Sequence, residues 1–131
     1  MNDVVLVEDD TDLQTLTAMM LQAHGHETRV FGTGQPALEA CIVDPPAVVL
    51  LDWMLPEMSG LDVLRALREH PATAHVPVVM VTALDRPENI SAAFDSGASD
   101  YVRKPFDGRS LIRAIERQIS RIVPEQGRMT A

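Results

Sequence analysis

The sequence AVVLLDWMLP, residues 47–56, carries the clearest indication of the fold. Five apolar residues in a row, followed by a charge and then a proline, are typical of a short strand buried on both faces of a sheet. Asp52 therefore emerges at the carboxyl end of a central strand, where open α/β sheets carry their functional groups. A second run, VVLV at 4–7, ends in the same way, with Glu8, Asp9 and Asp10. Two buried strands thus deliver acids to one edge of the predicted sheet.

Strand and helix patterns alternate along the chain. Apolar runs predict strands at 4–7, 28–31, 47–51, 78–81 and 100–103, and helices are predicted at about 12–24, 36–43, 61–69, 87–96 and 107–122, the last ended by a proline at 124. Strands one, three and four are apolar throughout and belong inside the sheet, whereas strands two and five carry polar residues and belong at its edges. The prediction is an α/β protein with a parallel sheet of order 2-1-3-4-5 and helices on both faces.

Length and composition limit the class of protein. A chain of 131 residues, 46% of them hydrophobic, is one domain's worth and can bury a core without disulfides. The formal net charge of -8 argues against direct binding to nucleic acids or anionic membranes. No segment approaches the roughly 20 apolar residues of a membrane span, and the lone Cys41 is expected to be a small buried hydrophobe on a helix. We expect a soluble, cytoplasmic protein.

The acids at the two strand ends predict a metal site. Three carboxylates within ~5 Å of one another repel by about 3 kcal/mol per pair at an effective dielectric constant near 20, so either a proton or a cation must be held. Carboxylate oxygens, with a backbone carbonyl, water and phosphate in the remaining positions, suit octahedral Mg²⁺. The alternative is that residues 8–10 cap the first helix and Asp52 lies in a loop. Thr11 and Gln14 also have the spacing of a capping box.

Two further strand ends carry groups that phosphoryl transfer needs. Strand four is followed by Thr82, a hydroxyl donor, and strand five by Lys104, an ammonium group. Either residue alone would be more typical of a helix cap or of a solvated surface. Together with Asp52 they provide a nucleophile, a metal ligand, a hydroxyl donor and a cation, which stabilise charge on a transferring phosphoryl group.

These motifs, taken in order, resemble a known family. Glu8-Asp9, DWMLPEMSG at 52–60, VTA at 81–83 and GASDYVRKPF at 97–106 look like the receiver domain of bacterial two-component response regulators. The resemblance covers residues 4–122. It implies a flavodoxin-like fold, a receiver domain at 1–123 and a C-terminal tail or linker stub at 124–131.

The resemblance also implies a role for each matching acid. Asp52 would accept a phosphoryl group from a histidine kinase or a histidine phosphotransfer protein. Asp9, Asp52 and the backbone carbonyl of Met54 would ligate Mg²⁺, and Glu8 would act through water. The chain would then be a signalling phosphoacceptor that assists its own phosphorylation and dephosphorylation, rather than an enzyme.

The remaining motif residues are implied to hold and report the phosphoryl group. Thr82 and Lys104 would bind its oxygens, and the bond between Lys104 and Pro105 would be cis. Tyr101 matches an aromatic switch that turns inward when Thr82 moves toward the phosphate; the alternative is an aromatic side chain that only covers the sheet edge. The surface formed by helix four, strand five and helix five would signal to a partner or output domain.

Three other site classes were weighed against this prediction. A haloacid-dehalogenase-like phosphatase also uses a strand-end aspartate and Mg²⁺, but it needs an acid two residues later, where this chain has Met54. Gly32 and Gly34 resemble a dinucleotide fingerprint, but they follow the second strand and more simply serve a turn. The histidines at 24, 26, 70 and 75 have no zinc-site spacing with the cysteine and are expected at the surface or in loops.

Two features concern partners and the lifetime of the phosphorylated form. Helix five carries arginines at 109, 113, 117 and 121, which form either a solvated face or a docking site for an acidic partner, such as a kinase or the helix-four side of a second copy. Met54 and Leu84 occupy the two positions that influence attack by water in this family, and neither side chain can position a water by hydrogen bonding. Slow self-dephosphorylation follows as a hypothesis. The sequence leaves open whether the chain stands alone or begins a longer regulator.

Overall fold

The computed structural model describes the backbone of residues 2–130 and the side chains of residues 3–120. Within this range strands and helices alternate from one end to the other. The elements are β1 (Asn2–Val7), α1 (Thr11–Ala23), β2 (His26–Phe31), α2 (Gly34–Val43), β3 (Val48–Leu51), α3 (Gly60–Glu69), β4 (Val78–Thr82), α4 (Pro87–Asp95), β5 (Asp100–Arg103) and α5 (Gly108–Thr130).

The five strands form one parallel sheet in the order β2-β1-β3-β4-β5, which confirms the predicted order. All four residues of β3 are fully buried, as an apolar run between two sheet faces requires. Val7 of β1 pairs with Leu51 of β3. The next residues, Glu8 and Asp52, therefore leave the sheet side by side at its carboxyl edge.

The core has two layers because alternate strand side chains point to opposite faces of the sheet. On one face Val5, Val49 and Met80 pack with helices α2, α3 and α4. On the other face Val4 and Leu50 pack with helices α1 and α5. The result is the predicted three-layer, flavodoxin-like architecture.

The strand starts differ from the prediction. Pairing of β1 with β2 begins at Asn2 and His26, because main-chain hydrogen bonds continue into polar residues that an apolar pattern cannot mark. The expectation of a surface or loop position for His26 is wrong, since its side chain is 7% exposed within β2. The lone Cys41 is buried on α2, as expected.

The carboxyl end of α5 differs from the prediction. α5 continues through Pro124 to Thr130, so the prediction that it ends before the proline is wrong. Proline removes one main-chain hydrogen bond, and a helix can bend there and continue. The side chain of Arg121, the last member of the predicted arginine row on this helix, lies outside the described residues.

The glycine pattern after β2 has a packing role. A Cβ atom at Gly34 would lie 2.5 Å from Cγ2 of Val63, so α2 can approach α3 this closely only with glycine at its start. α2 begins at Gly34, two residues before the predicted start at Pro36. Gly34 therefore serves helix packing instead of the turn or the dinucleotide site that were considered.

No helix in the described part of the chain is both long and apolar enough to span a bilayer.

Candidate functional site

The phosphoacceptor candidate, Asp52, leaves β3 at the carboxyl edge of the sheet and is 6% exposed. Its Oδ1 accepts a hydrogen bond from the Met54 amide at 3.2 Å. The following loop folds back so tightly that a Cβ atom at Gly60 would lie 2.0 Å from the Asp52 carbonyl oxygen. The Gly60 amide donates to the Trp53 carbonyl at 2.8 Å. Glycine at position 60 thus allows the loop that orients Asp52.

The three acids after β1 have separate roles. Asp10 is the N-cap of α1, with its Oδ1 accepting from the Leu13 amide at 3.1 Å. Glu8 is 4% exposed, and its Oε2 accepts from the Asp10 amide at 3.2 Å. Asp9 is exposed, and carboxylate oxygens of Glu8, Asp9 and Asp52 lie within 4.8 Å of one another. The helix-capping alternative therefore holds for Asp10 alone, while the other two acids face Asp52.

The ammonium group of Lys104 bridges two of these acids. Its Nζ lies 2.6 Å from Oε1 of Glu8 and 2.9 Å from Oδ2 of Asp52. The bond between Lys104 and Pro105 is cis, as the resemblance implied. Lys104 reaches the crevice from β5, across β4 and β3. The structure thus brings together residues from strand ends that are far apart in sequence.

Burial and neighbouring charges shift the pKa values of Glu8 and Lys104. Desolvation raises the pKa of Glu8, although the hydrogen bond from Lys104 and the Asp10 amide act in the opposite direction. Burial by itself would lower the pKa of Lys104, but hydrogen bonds to Glu8 and Asp52 outweigh it and raise the pKa. The lysine is therefore held in its charged form by the two carboxylates.

A chain of hydrogen bonds joins Thr82 to Tyr101. Thr82 is fully buried at the end of β4, and its Oγ1 accepts from the Leu84 amide at 3.4 Å. The Tyr101 hydroxyl donates to the Leu84 carbonyl at 2.6 Å. Desolvation, followed by the charge of Asp85, raises the pKa of Tyr101. The tyrosine both packs on the core and bonds the loop after β4, so it does more than cover the sheet edge.

The site rim is apolar where a phosphatase would carry its acid. Met54 is 62% exposed and stands two residues after Asp52. Trp53 is partly buried and packs against the core on the α2–α3 side. Neither side chain can protonate a leaving group, and nothing found supports the phosphatase alternative.

Two residues at the start of α1 differ from the capping-box prediction. The capping-box spacing favoured Thr11 as the cap, whereas Asp10 caps the helix. The same spacing predicts Gln14 as the reciprocal member of that box, whereas its side-chain amide donates to the Glu8 backbone carbonyl. The available signal was Asp10 itself, since aspartate followed two residues later by another acid is a common helix start.

Comparison with known proteins agrees with this geometry. The model of the response regulator receiver domain matches residues 4–116. The DNA-binding response regulator MtrA of Mycolicibacterium smegmatis is 38% identical over 126 residues, covering 96% of this chain and 54% of that protein. The chain thus spans about half the length of the curated relatives it matches.

Solved receiver domains have the same fold. The BeF3-activated N-terminal receiver domain of Klebsiella pneumoniae RstA has a TM-score of 0.84 at 34% identity, covering 90% of this chain and 98% of that one. The receiver domain of the sensor histidine kinase PA1611 from Pseudomonas aeruginosa has a TM-score of 0.85 at 27% identity, covering 91% and 98%, and was solved with magnesium in its active-site cleft.

These matches define the class of protein as a signalling module of two-component systems. The chain belongs to the response regulator receiver domain family.

Proposed function

We propose that Asp52 accepts a phosphoryl group from a histidine kinase or a histidine phosphotransfer protein in a Mg²⁺-dependent reaction. The main support is the Lys104 ammonium group, 2.6 Å from Glu8 and 2.9 Å from Asp52, with the Asp9 carboxylate in the same cluster. A cation and a metal-binding acid beside a strand-end aspartate are the groups that neutralise charge during phosphoryl transfer.

The donor set of the acidic cluster fits Mg²⁺. Carboxylate oxygens converging from β1 and β3 are hard ligands, and a site with few protein ligands leaves positions for water and phosphate. In the proposal Asp9, Asp52 and the Met54 carbonyl bind the ion directly, and Glu8 binds it through water. The bound ion supplies shielding of the negative phosphoryl oxygens as they meet the acidic cluster.

The residues of the chain then carry the transfer. A carboxylate oxygen of Asp52 attacks the phosphorus, a P–O bond forms as the P–N bond of a phosphohistidine donor breaks, and the imidazole leaves with the electron pair. The Lys104 ammonium and the Thr82 hydroxyl donate to phosphoryl oxygens. Because the chain itself provides the nucleophile and the stabilising charges, a small phosphodonor such as acetyl phosphate also serves, and the domain assists its own phosphorylation and dephosphorylation.

The hydrogen-bonded chain from Thr82 to Tyr101 is proposed as the switch. The Leu84 amide bonds the Thr82 hydroxyl, and the Leu84 carbonyl bonds the Tyr101 hydroxyl. A shift of Thr82 toward a phosphoryl group would therefore move the loop that Tyr101 holds. The surface formed by α4, β5 and α5 would change with it and signal to a partner or output domain.

The α5 arginines bear on the choice of partner. Arg117 bonds Asp100 of the same chain at 2.8 Å, which supports the solvated-face interpretation for that residue. Arg109 and Arg113 are exposed and leave positive charge for an acidic surface, on a kinase or on the α4 side of a second copy paired through α4, β5 and α5.

The domain limits are also part of the proposal. We propose residues 1–123 as the receiver and residues 124–131 as a tail or linker stub. A domain phosphorylated by histidine kinases would act in the cytoplasm.

The proposal is tested by mass spectrometry after treatment with acetyl phosphate and Mg²⁺. One phosphoryl group should be added to the wild-type chain and none to Asp52→Ala or to samples with chelator. Asp62→Ala, which removes an exposed acid on α3, is the matched control and should be labelled normally. Equal labelling of Asp52→Ala would exclude Asp52 as the acceptor, and turnover of p-nitrophenyl phosphate would indicate a phosphatase instead.

A further inference from the structure

The loop that carries Glu8, Asp9 and Asp10 lies just beyond the end of sheet pairing. The last ladder pair between β1 and β2 joins Val7 to Phe31. The Glu8 amide still donates to the Phe31 carbonyl at 2.9 Å, but the chain then leaves the sheet. The conformation of the loop must therefore be set by side chains instead of by strand pairing.

The Gln14 side chain supplies that restraint. Its Nε2 donates to the backbone carbonyl of Glu8, while its own amide donates to the Asp10 carbonyl at 2.9 Å in the first turn of α1. The side chain is half-buried. It lies against Gly32, where a Cβ atom would be 3.6 Å from Nε2. One residue of α1 thus holds both ends of the three-acid loop.

The Gln14 hydrogen bond affects the acidic cluster through the backbone of Glu8 and Asp9. With the Glu8 carbonyl fixed by Gln14, the Glu8 side chain points to Lys104 and to the Asp10 amide. Asp9, between two fixed residues, then places its carboxylate within 4.8 Å of those of Glu8 and Asp52. Without the Gln14 bond, the Glu8–Asp9 peptide could rotate and carry the Asp9 carboxylate away.

We propose that Gln14 is a positioning residue for the metal site: its amide holds the Glu8 carbonyl, so that the Asp9 carboxylate is preorganised toward Asp52. The inference rests on the proposed Mg²⁺-dependent function. Groups that orient metal ligands from outside the first coordination shell typically contribute 10- to 100-fold to affinity. We expect a change of about tenfold here, at the lower end of that range, because Gln14 acts through the backbone.

The test compares Gln14→Met with Thr15→Val by calorimetric titration with Mg²⁺ and by thermal unfolding without metal. Gln14→Met keeps the length of the side chain and removes the donor. Thr15→Val is the matched control, because it removes one side-chain bond, from Thr15 Oγ1 to the Thr11 carbonyl at 3.0 Å in the same helix, without touching the loop. Gln14→Asn, whose amide is one methylene too short, is the second variant.

We expect Gln14→Met and Gln14→Asn to bind Mg²⁺ about tenfold more weakly, with Thr15→Val within twofold of wild type. At saturating Mg²⁺, labelling of Asp52 by acetyl phosphate should return to near the wild-type rate, since the ligands themselves remain. Equal Mg²⁺ affinity in wild type and both Gln14 variants would overturn the inference, as would an equal loss in Thr15→Val, which would indicate general weakening of α1. Absence of Mg²⁺ binding by the wild-type chain would instead overturn the proposed function, and this inference with it.

Discussion

The carboxyl edge and the amino edge of the sheet each hold a partly buried cation, and they compensate its charge differently. At the carboxyl edge, Lys104 lies between two carboxylates at 2.6 and 2.9 Å. At the amino edge, the Arg68 guanidinium donates to the Val76 carbonyl at 2.7 Å and to the Gly97 carbonyl at 3.0 Å. Among the described residues, no carboxylate forms an ion pair with Arg68.

The pKa values of Arg68 and Lys104 shift in opposite directions because their partners differ. The pKa of Arg68 is lowered by burial, whereas burial of Lys104 is outweighed by its bonds to Glu8 and Asp52, which raise its pKa. Neutral carbonyls hold Arg68 in one fixed arrangement that joins α3 to the segments before β4 and β5. In the proposed function, the charged groups around Lys104 exchange partners when a metal ion or a phosphoryl group enters. One edge is therefore built for stability and the other for a change of charge.

The largest expected effect is on the stability of the amino edge. Arg68→Ala should lower the free energy of unfolding by about 3 kcal/mol, because it removes hydrogen bonds from a charged donor and leaves the partly buried Val76 and Gly97 carbonyls without this partner. Urea denaturation measures this directly. Arg65→Ala, which loses a single exposed bond to Ser96 at 3.3 Å, is the control and should change stability by less than about 0.5 kcal/mol.

The Mg²⁺ affinity of Arg68→Ala tests whether the metal site is independent of the amino edge. Arg68→Ala, measured well below its unfolding midpoint, should bind Mg²⁺ as the wild-type chain does. A loss of Mg²⁺ affinity comparable to the loss of stability would show that the amino edge and the carboxyl edge of the sheet are energetically coupled.

The second prediction concerns the carboxyl edge. Asp9→Ala should weaken Mg²⁺ binding by more than about tenfold, equivalent to about 1.4 kcal/mol, because it removes a proposed ligand whose carboxylate faces the cluster. Stability without metal should not fall, since repulsion among three carboxylates is relieved. Calorimetric titration with Mg²⁺ is the measurement. Asp12→Ala, an exposed acid in the first turn of α1, should bind Mg²⁺ normally, and equal affinity in both variants would remove Asp9 from the site.

The third prediction concerns how long the phosphorylated form persists. Met54→Asn combined with Leu84→Glu should shorten its lifetime several-fold, because a hydrogen bond that positions the attacking water is worth ~1 kcal/mol. Decay is followed after rapid removal of the phosphodonor at saturating Mg²⁺. Met19→Asn, at an exposed methionine on α1, serves as the control.

The main-chain groups of residues 54 and 84 must keep their roles in this double variant. The Leu84 amide and carbonyl bond Thr82 and Tyr101, and Met54 is the proposed carbonyl ligand, so Mg²⁺ affinity is measured beside the decay. Decay at the wild-type rate or slower, with affinity intact, would mean that side-chain polarity at these positions does not control the water.

The smallest effect is spectroscopic. Trp53 is half-buried and adjoins Asp52, so Mg²⁺ and then beryllofluoride should change tryptophan emission as charge at the site is neutralised. The tryptophan emission of Arg68→Ala should respond in the same way, because this substitution lies at the opposite edge of the sheet. A flat titration, in the presence of calorimetric binding, would show that the indole does not sense the crevice.

Most of the architecture could be predicted from local patterns. The unbroken apolar runs placed β1, β3 and β4 inside the sheet, and the polar residues of β2 and β5 placed those strands at its edges. The same patterns failed where a polar residue is both paired and buried, as at His26. They also failed at Pro124, where the helix continues, because a missing hydrogen bond weakens a helix without fixing its end.

The order of the parallel strands, which the apolar pattern predicts, is enough to bring Glu8, Asp52, Thr82 and Lys104 to one edge of the sheet. The contacts among these residues follow only from the folded structure. It showed that Lys104 bridges two carboxylates, that Asp10 caps a helix while Asp9 faces the cluster, and that Gln14 bonds the Glu8 carbonyl. The order of the strands fixes where each strand-end residue lies along the sheet edge. Hydrogen-bond partners depend instead on side-chain rotamers and loop conformations, which are selected by packing between segments distant in sequence.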